Sequence, residues 1–102
     1  MTPLTARTQR LVRLIFPQFS SEVETLLAEQ CGRNLPLCND STPESLERLR
    51  FAALKVSNGE MGRLNEAVDL AKLDWRDLLV WAEFANDVQV HQKWADELLA
   101  GR

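Results

Sequence analysis

Apolar residues recur at helical spacing along almost the whole chain, and this periodicity constrains the fold more than any other feature of the sequence. The clearest stripe consists of Leu46, Leu49, Ala53 and Val56. Thr42 can cap this segment, and Pro43 suits the first position of a helix. No segment of useful length alternates apolar and polar residues with the two-residue period of a strand. We therefore predict an all-α fold.

One dipeptide, Asn58-Gly59, points in another direction, because Asn-Gly between apolar runs is a strong signal for a β-hairpin. The runs on both sides have helical spacing, so we interpret this pair as the end of a helix followed by a tight turn. The whole pattern predicts five or six short helices, near residues 4–16, 21–31, 42–58, 60–72, 75–85 and 88–99. Helices this short favour an irregular orthogonal packing over a regular four-helix bundle.

The segment 75–85 (Trp-Arg-Asp-Leu-Leu-Val-Trp-Ala-Glu-Phe-Ala) is apolar on almost every side. A helix that is apolar all round is usually buried at the centre of its domain. We therefore predict that residues 75–85 form the central buried helix. Within this segment, Trp81 and Phe84 are expected to be core residues.

The length of 102 residues suits one domain, so we expect a single helical domain over residues 1–102. Residues 1–20 could be a loosely attached N-terminal helix, since chain ends are often loose. No run approaches the ~20 apolar residues of a membrane span. The longest early apolar run, Leu14 to Phe16, is too short for a secretory signal. We expect a cytoplasmic protein with no membrane partner.

Few residues of the types that catalyse reactions or bind metal ions are present, because the chain holds one histidine, two cysteines and no tyrosine. Cys31 and Cys38, together with His91, fall short of the four ligands of a structural zinc site. We expect reduced thiols, although a disulfide across the loop between them is geometrically feasible. No cofactor is predicted. An enzyme would depend on His91, oriented by Asp87 or Glu83.

Basic residues supply a second alternative, a nucleic-acid-binding module. The net charge of −3 lacks the surplus that phosphate contacts require. The charge is nevertheless arranged in alternating blocks, so a local basic patch is compatible with the total. The best candidates for such a patch are Arg48, Arg50, Lys55 and Arg63. Against this idea, residues 75–85 would be the recognition helix, and they have few polar side chains to read bases.

The leading hypothesis is a small, non-catalytic protein-interaction or regulatory module. Phe51 falls on the opposite side of its helix from the main apolar stripe, so it needs a second packing partner. The turn from Asp74 to Asp77 combines an indole with three charges. The candidate interaction surface therefore consists of Phe51, Asp74, Trp75, Arg76, Asp77 and Trp94. Its partner would be another protein or a second copy of the chain.

Two stretches carry a resemblance: residues 50–59 (Arg-Phe-Ala-Ala-Leu-Lys-Val-Ser-Asn-Gly) and residues 74–79 (Asp-Trp-Arg-Asp-Leu-Leu). Together with Phe84-Ala85 and the segment 91–94, they resemble a group of small bacterial helical proteins of unknown function. The resemblance mainly covers residues 42–94. It implies a bacterial, cytoplasmic protein and assigns no activity, substrate or catalytic residue.

Overall fold

A computed structural model describes residues 3–36, 38 and 41–101. Within these ranges the chain forms five helices and no strand, which confirms the all-α prediction. In chain order they are α1 (Ala6–Ile15), α2 (Ser20–Gln30), α3 (Pro43–Ser57), α4 (Met61–Trp81) and α5 (Val90–Ala100). None of the described helices is both long enough and apolar enough to cross a bilayer.

Helix α3 lies at the centre of the fold, where it packs against α1, α4 and α5. Its buried residues occur on nearly every side of the helix: Leu46, Leu49, Arg50, Phe51, Ala52, Ala53, Leu54 and Ser57. The small side chains of Ala52 and Ala53 leave room for neighbouring helices to approach. The central buried helix is therefore α3.

The prediction that residues 75–85 form the central buried helix is corrected by the structure. Residues 75–81 form the second part of α4, which buries Leu78 and Leu79 and leaves its opposite side in solvent, and residues 82–85 follow the end of the helix. Phe84 is buried, as predicted, but Val80 is 63% exposed and Trp81 is 43% exposed. An all-round apolar segment can thus lie on the outside of a small fold when only one of its faces has a neighbour.

Two predicted helices, 60–72 and 75–85, are joined in α4 with a kink between them. Asp74 has extended backbone angles (φ −159°, ψ 105°), which interrupt the helical path. The second part ends at Trp81, earlier than predicted. Glu83 then takes a left-handed conformation (φ 64°) that turns the chain away from the helix.

The ends of α3 follow the local signals in the sequence. The Thr42 hydroxyl accepts a hydrogen bond of 3.2 Å from the backbone N–H of Ser45, and Pro43 stands at the first helical position. At the other end, Asn58 adopts the left-handed conformation (φ 50°) and Gly59 follows with φ 78°. The prediction of a helix end followed by a tight turn at Asn58-Gly59 is therefore confirmed.

Helix α1, which lies within residues 1–20, is anchored to the rest of the fold. Its apolar face and the residue after it contribute Leu11, Val12 and Phe16 to the buried core. On its polar face, the Arg7 guanidinium binds Asp96 and the side chain of Gln92, both on α5. The N-terminal helix is thus held on two sides.

Candidate functional site

The large apolar side chains that remain exposed are concentrated in the second half of the chain. Leu73 is 82% exposed, and Val88 is 64% exposed in the segment before α5. With Val80 and Trp81 they account for all but Phe19 of the large, exposed apolar side chains among the described residues. A contiguous patch of exposed apolar side chains marks a binding surface more often than single exposed residues do.

We define the α4 surface as Leu73, Asp77, Val80 and Trp81. All four are exposed. Asp77, Val80 and Trp81 are spaced by three and one residues within the second part of α4, which places them along one side of it, and Leu73 immediately precedes the kink at Asp74. Asp77 is the one member that the sequence had indicated. Val80 and Trp81 follow Asp77 by three and four residues, and this spacing in the sequence indicates that they share the face of a charged residue.

The Asp74–Arg76 pair organises the kink beside this surface. The Asp74 carboxylate accepts hydrogen bonds from the Arg76 backbone N–H (3.0 Å) and from the guanidinium Nε (3.0 Å) and Nη2 (3.1 Å). These bonds hold the pKa of Asp74 below its ordinary value. The carboxylate therefore caps the second part of α4, and Arg76 is engaged within its own turn.

Exposed acidic residues outnumber exposed basic residues on α4 and in the segment that follows it. The exposed carboxylates on α4 and in the following segment are Glu66, Asp69, Asp77, Glu83 and Asp87. Arg63 and Lys72 are also exposed on α4, while Arg76 is paired with Asp74. The stretch of chain that holds the α4 surface is thus net negative, which favours a positively charged partner.

Phe51 is not part of an exposed surface, so this element of the predicted interaction surface is wrong. Its side chain is completely buried, and its ring centroid lies 5.7 Å from that of His91 and 6.0 Å from that of Trp94. Both of these neighbours belong to α5. This helix therefore covers the side of α3 that carries Phe51, opposite the main apolar stripe. Trp94 is itself half-buried in this contact.

The two remaining tryptophans differ in their surroundings. Trp75 is half-buried and lines a small cavity against α3. Trp81, which the sequence predicted to be in the core, is instead exposed on the α4 surface. Both residues belong to the second part of α4, where a separation of six residues turns Trp81 roughly 120° around the helix from Trp75.

His91 lies in the core, with 4% of its surface exposed. Its ring packs edge-on against Phe51 and also contacts Phe84, at a centroid distance of 6.2 Å. Burial lowers the pKa of His91, and the positive charge of Arg48 lowers it further. The imidazole is therefore neutral at neutral pH and has no open approach for a substrate.

The carboxylates proposed to orient His91 have other roles. Asp87 accepts a hydrogen bond of 2.8 Å from the backbone N–H of Gln89, at the start of α5. Glu83 is exposed in the turn that follows α4. The Gln92 side-chain amide lies 3.2 Å from Nε2 of the imidazole. Neither Asp87 nor Glu83 is hydrogen-bonded to His91 among the described contacts.

Three of the four basic residues proposed to bind nucleic acid are engaged with backbone carbonyls. Lys55 donates a hydrogen bond of 2.8 Å to the carbonyl oxygen of Ala82, and Arg48 donates one to that of Phe84. Arg50 is buried, with bonds to the carbonyls of Cys31 and Pro3. Arg63 is exposed and lies 3.8 Å from Glu60. Lys55 and Arg50 thus bind the carbonyls that end α4 and α2, and Arg48 binds a carbonyl in the turn after α4.

Both cysteines are free and buried. Burial raises the pKa of the Cys31 thiol to about 12. Within the described part of the chain, no group of three or more His, Cys, Asp and Glu side chains is arranged to hold a metal ion.

Comparison with known proteins gave no match: no family model, no curated protein and no solved structure resembles this chain closely enough to count. The resemblance of residues 42–94 to small bacterial proteins therefore stays a prediction. The functional argument consequently depends on the geometry of the chain itself.

Proposed function

We propose that this chain is a small, non-catalytic protein-interaction module that binds a partner protein through the α4 surface. The observation that carries the proposal is the exposure of Val80 and Trp81 side by side on an acidic helix face. Tryptophan is over-represented among the residues that dominate binding energy at interfaces. An apolar centre with a polar rim is the usual anatomy of such a surface.

The chemistry of the partner follows from the charge around this surface. Asp77 lies one helical turn before Val80 and Trp81, and exposed acidic residues outnumber basic ones on α4 and after it, so a matching partner presents an apolar strip flanked by lysines or arginines. An amphipathic helix with a basic rim meets this description. A second copy of the chain fits less well, since a two-fold symmetric contact would bring the same acidic rims together.

The free, buried cysteines are compatible with the reducing cytoplasm, which we propose as the compartment. The same proposal assigns no catalytic role to His91, because its ring is enclosed by Phe51 and Phe84.

Two synthetic helical peptides test the proposal. Both present the same leucine face, but one carries lysines beside that face and the other carries glutamates. Anisotropy of a fluorescent label on each peptide measures its binding to the purified protein. We expect the lysine peptide to bind, the glutamate peptide to fail, and the affinity of the lysine peptide to fall as salt is added.

Matched variants locate the binding surface. Trp81→Ala is expected to weaken binding of the lysine peptide at least about tenfold, since it truncates the central aromatic residue. Phe19→Ala is the control, because Phe19 is an exposed aromatic residue outside the α4 surface. It should leave the affinity unchanged.

Three results would contradict the proposal. Equal binding of both peptides would show unspecific apolar adhesion, and equal effects of Trp81→Ala and Phe19→Ala would place the site elsewhere. A dimer in sedimentation experiments that Trp81→Ala dissociates would assign the α4 surface to a second copy of the chain.

A further inference from the structure

Helix α5 is attached to the rest of the fold largely through one ionisable side chain. His91 and Ala95 are the two residues of this helix that are buried, and α3 is its main neighbour. The apolar side chains of Trp94 and Leu98 are half-buried in the same contact. A change in the charge of His91 therefore acts on the centre of the contact between α5 and α3.

Aromatic rings enclose the imidazole and form most of this contact. The ring centroid of His91 lies 5.7 Å from that of Phe51 on α3 and 6.2 Å from that of Phe84 in the turn after α4. Trp94 approaches the same two rings, at 6.0 Å and 5.9 Å. Both phenylalanines are completely buried beneath α5 as a result. The contact is apolar as long as the imidazole is neutral.

Several features of this position oppose a proton on the imidazole. Burial lowers the pKa of His91, because a buried charge loses its hydration, and the guanidinium groups of Arg48 on α3 and Arg7 on α1 lower it further. His91 is also the second residue of α5. The first turn of a helix carries partial positive charge, which disfavours a cation there.

Two groups act in the opposite direction, but neither compensates for these effects. The carboxylate of Glu47 and the backbone of Val88 raise the pKa of His91, and burial and the arginines outweigh them. The two oxygens of Glu47 already accept hydrogen bonds from Thr5 (2.7 Å) and from the side chain of Gln92 (2.8 Å). A new bond from an imidazolium would therefore compete with these.

The other charged groups near this contact are engaged elsewhere. Asp96 on α5 is paired with Arg7, and Asp87 accepts a hydrogen bond of 2.8 Å from the backbone just before α5. Lys55 on α3 is itself positive, and it donates a hydrogen bond to a carbonyl oxygen at the end of α4. A positive charge on His91 thus has no carboxylate beside it that lacks another partner among the described residues.

We propose that α5 is an acid-sensitive switch: uptake of a proton by His91 releases α5 from α3 and uncovers Phe51 and Phe84, while α1 to α4 stay folded. Once α5 is released, water solvates the imidazolium and the arginines no longer face it, so the released form binds the proton more tightly. The step is a local opening that precedes unfolding of the whole chain. It does not depend on the α4 surface.

Amide hydrogen exchange, followed by nuclear magnetic resonance from about pH 7.5 to about pH 5.5, tests this switch. After correction for the intrinsic effect of pH on exchange, the protection of α5 amides should fall by up to about tenfold per pH unit below pH 6.5, the limit for uptake of one proton. At each pH, α5 amides should be less protected than α3 amides. Urea at low concentration should accelerate exchange in α3 much more than in α5, because release of one helix exposes less surface than unfolding does.

Three variants identify the titrating group. His91→Phe keeps an aromatic ring but cannot take up a proton, so acid should not reduce the protection of α5 amides in it. His91→Gln should behave in the same way and serves where His91→Phe does not fold. Asp96→Asn is the control, since it removes a carboxylate from the contact between α5 and α1 and should keep the fall in acid.

The proposal would be overturned if α5 and α3 amides exchanged at the same rate with the same dependence on urea, because His91 would then act only on unfolding of the whole chain. It would also be overturned if a folded histidine variant kept the fall in acid, or if Asp96→Asn lost it. A fall that is present in Asp96→Asn and absent from either histidine variant would support it.

Discussion

The guanidinium Nε of Arg50 donates a hydrogen bond of 2.9 Å to the backbone carbonyl oxygen of Cys31, which lies at the C-terminal end of α2. Its Nη1 donates another, also of 2.9 Å, to the carbonyl of Pro3 before α1. Arg50 is only 2% exposed. A buried cation on the central helix therefore ties the end of α2 and the start of the described chain to α3, at a helix terminus that favours positive charge.

Replacement of this cation should be costly for stability. We expect Arg50→Met to lower the free energy of unfolding by about 3 kcal/mol, because it leaves buried carbonyl oxygens without donors. Urea unfolding followed by circular dichroism measures the change. Arg63→Met is the control, since its exposed pairing with Glu60 contributes little, and its effect should stay within about 0.5 kcal/mol. Similar losses in the two variants would refute the structural role of Arg50.

Glu83 offers the opposite prediction, a stabilising substitution. Its left-handed conformation (φ 64°) is strained for a residue with a Cβ atom, and glycine adopts it freely. We expect Glu83→Gly to raise the free energy of unfolding by about 1 kcal/mol. Glu83→Ala removes the same charge but keeps the Cβ atom, so it should show no comparable gain. If alanine stabilised the protein as much as glycine, the charge and not the backbone would be responsible.

The buried imidazole of His91 predicts a loss of stability in mild acid. Burial holds the pKa of His91 below its ordinary value of 6.5, so the unfolded chain takes up a proton more readily than the folded chain. The contribution is fully present above pH 6.5 and is lost as the pH falls from there through the folded-state pKa. Unfolding free energies measured from about pH 8 to about pH 5 should show this decline.

His91→Gln provides the comparison, since His91 is the only histidine of the chain. The variant should be less stable at neutral pH, because the ring contacts with Phe51 and Phe84 are lost. Its stability should nevertheless change less over the range in which histidine titrates. An identical pH dependence in the two proteins would assign the decline to carboxylates instead.

The thiol of Cys31 should resist alkylation in the folded protein. Its side chain is fully buried and its pKa is raised to about 12, so very little reactive thiolate forms near neutral pH. Iodoacetamide labelling followed by mass spectrometry should modify Cys31 only after denaturant is added. Rapid labelling under native conditions would show that the end of α2 opens readily.

Much of the local structure could be predicted from the sequence, because the interactions that set it span only a few residues. The cap at Thr42, the helix end at Asn58 and the cap at Asp74 all involve neighbours within three positions. The signals for these features are therefore present in the sequence itself. The alternative of a hairpin at Asn58-Gly59 was excluded for the same reason, since helical spacing continues on both sides.

The candidate site was predicted less well. Arg76 and Asp77 are exposed and Trp75 is half-buried, so their part in an interaction stays a prediction, whereas Phe51 proved to be core and Trp81 proved to be exposed. Helical spacing shows which residues share a face, yet it does not show which face meets another element. Phe51 is buried because α5 covers its side of α3, and the sequence holds no local sign of that contact.

The sequence by itself determined the helical character of the chain, the caps at Thr42 and Asp74 and the shortage of catalytic groups, since these depend on residue type and short-range spacing. Only the tertiary structure decided that α3 is the central helix and that α4 exposes Val80 and Trp81. The physical reason is that a side chain is buried only where a second element packs against its face of the helix. A helix with apolar residues on all sides buries only the sides that neighbouring helices cover, and contacts between distant segments decide which sides those are.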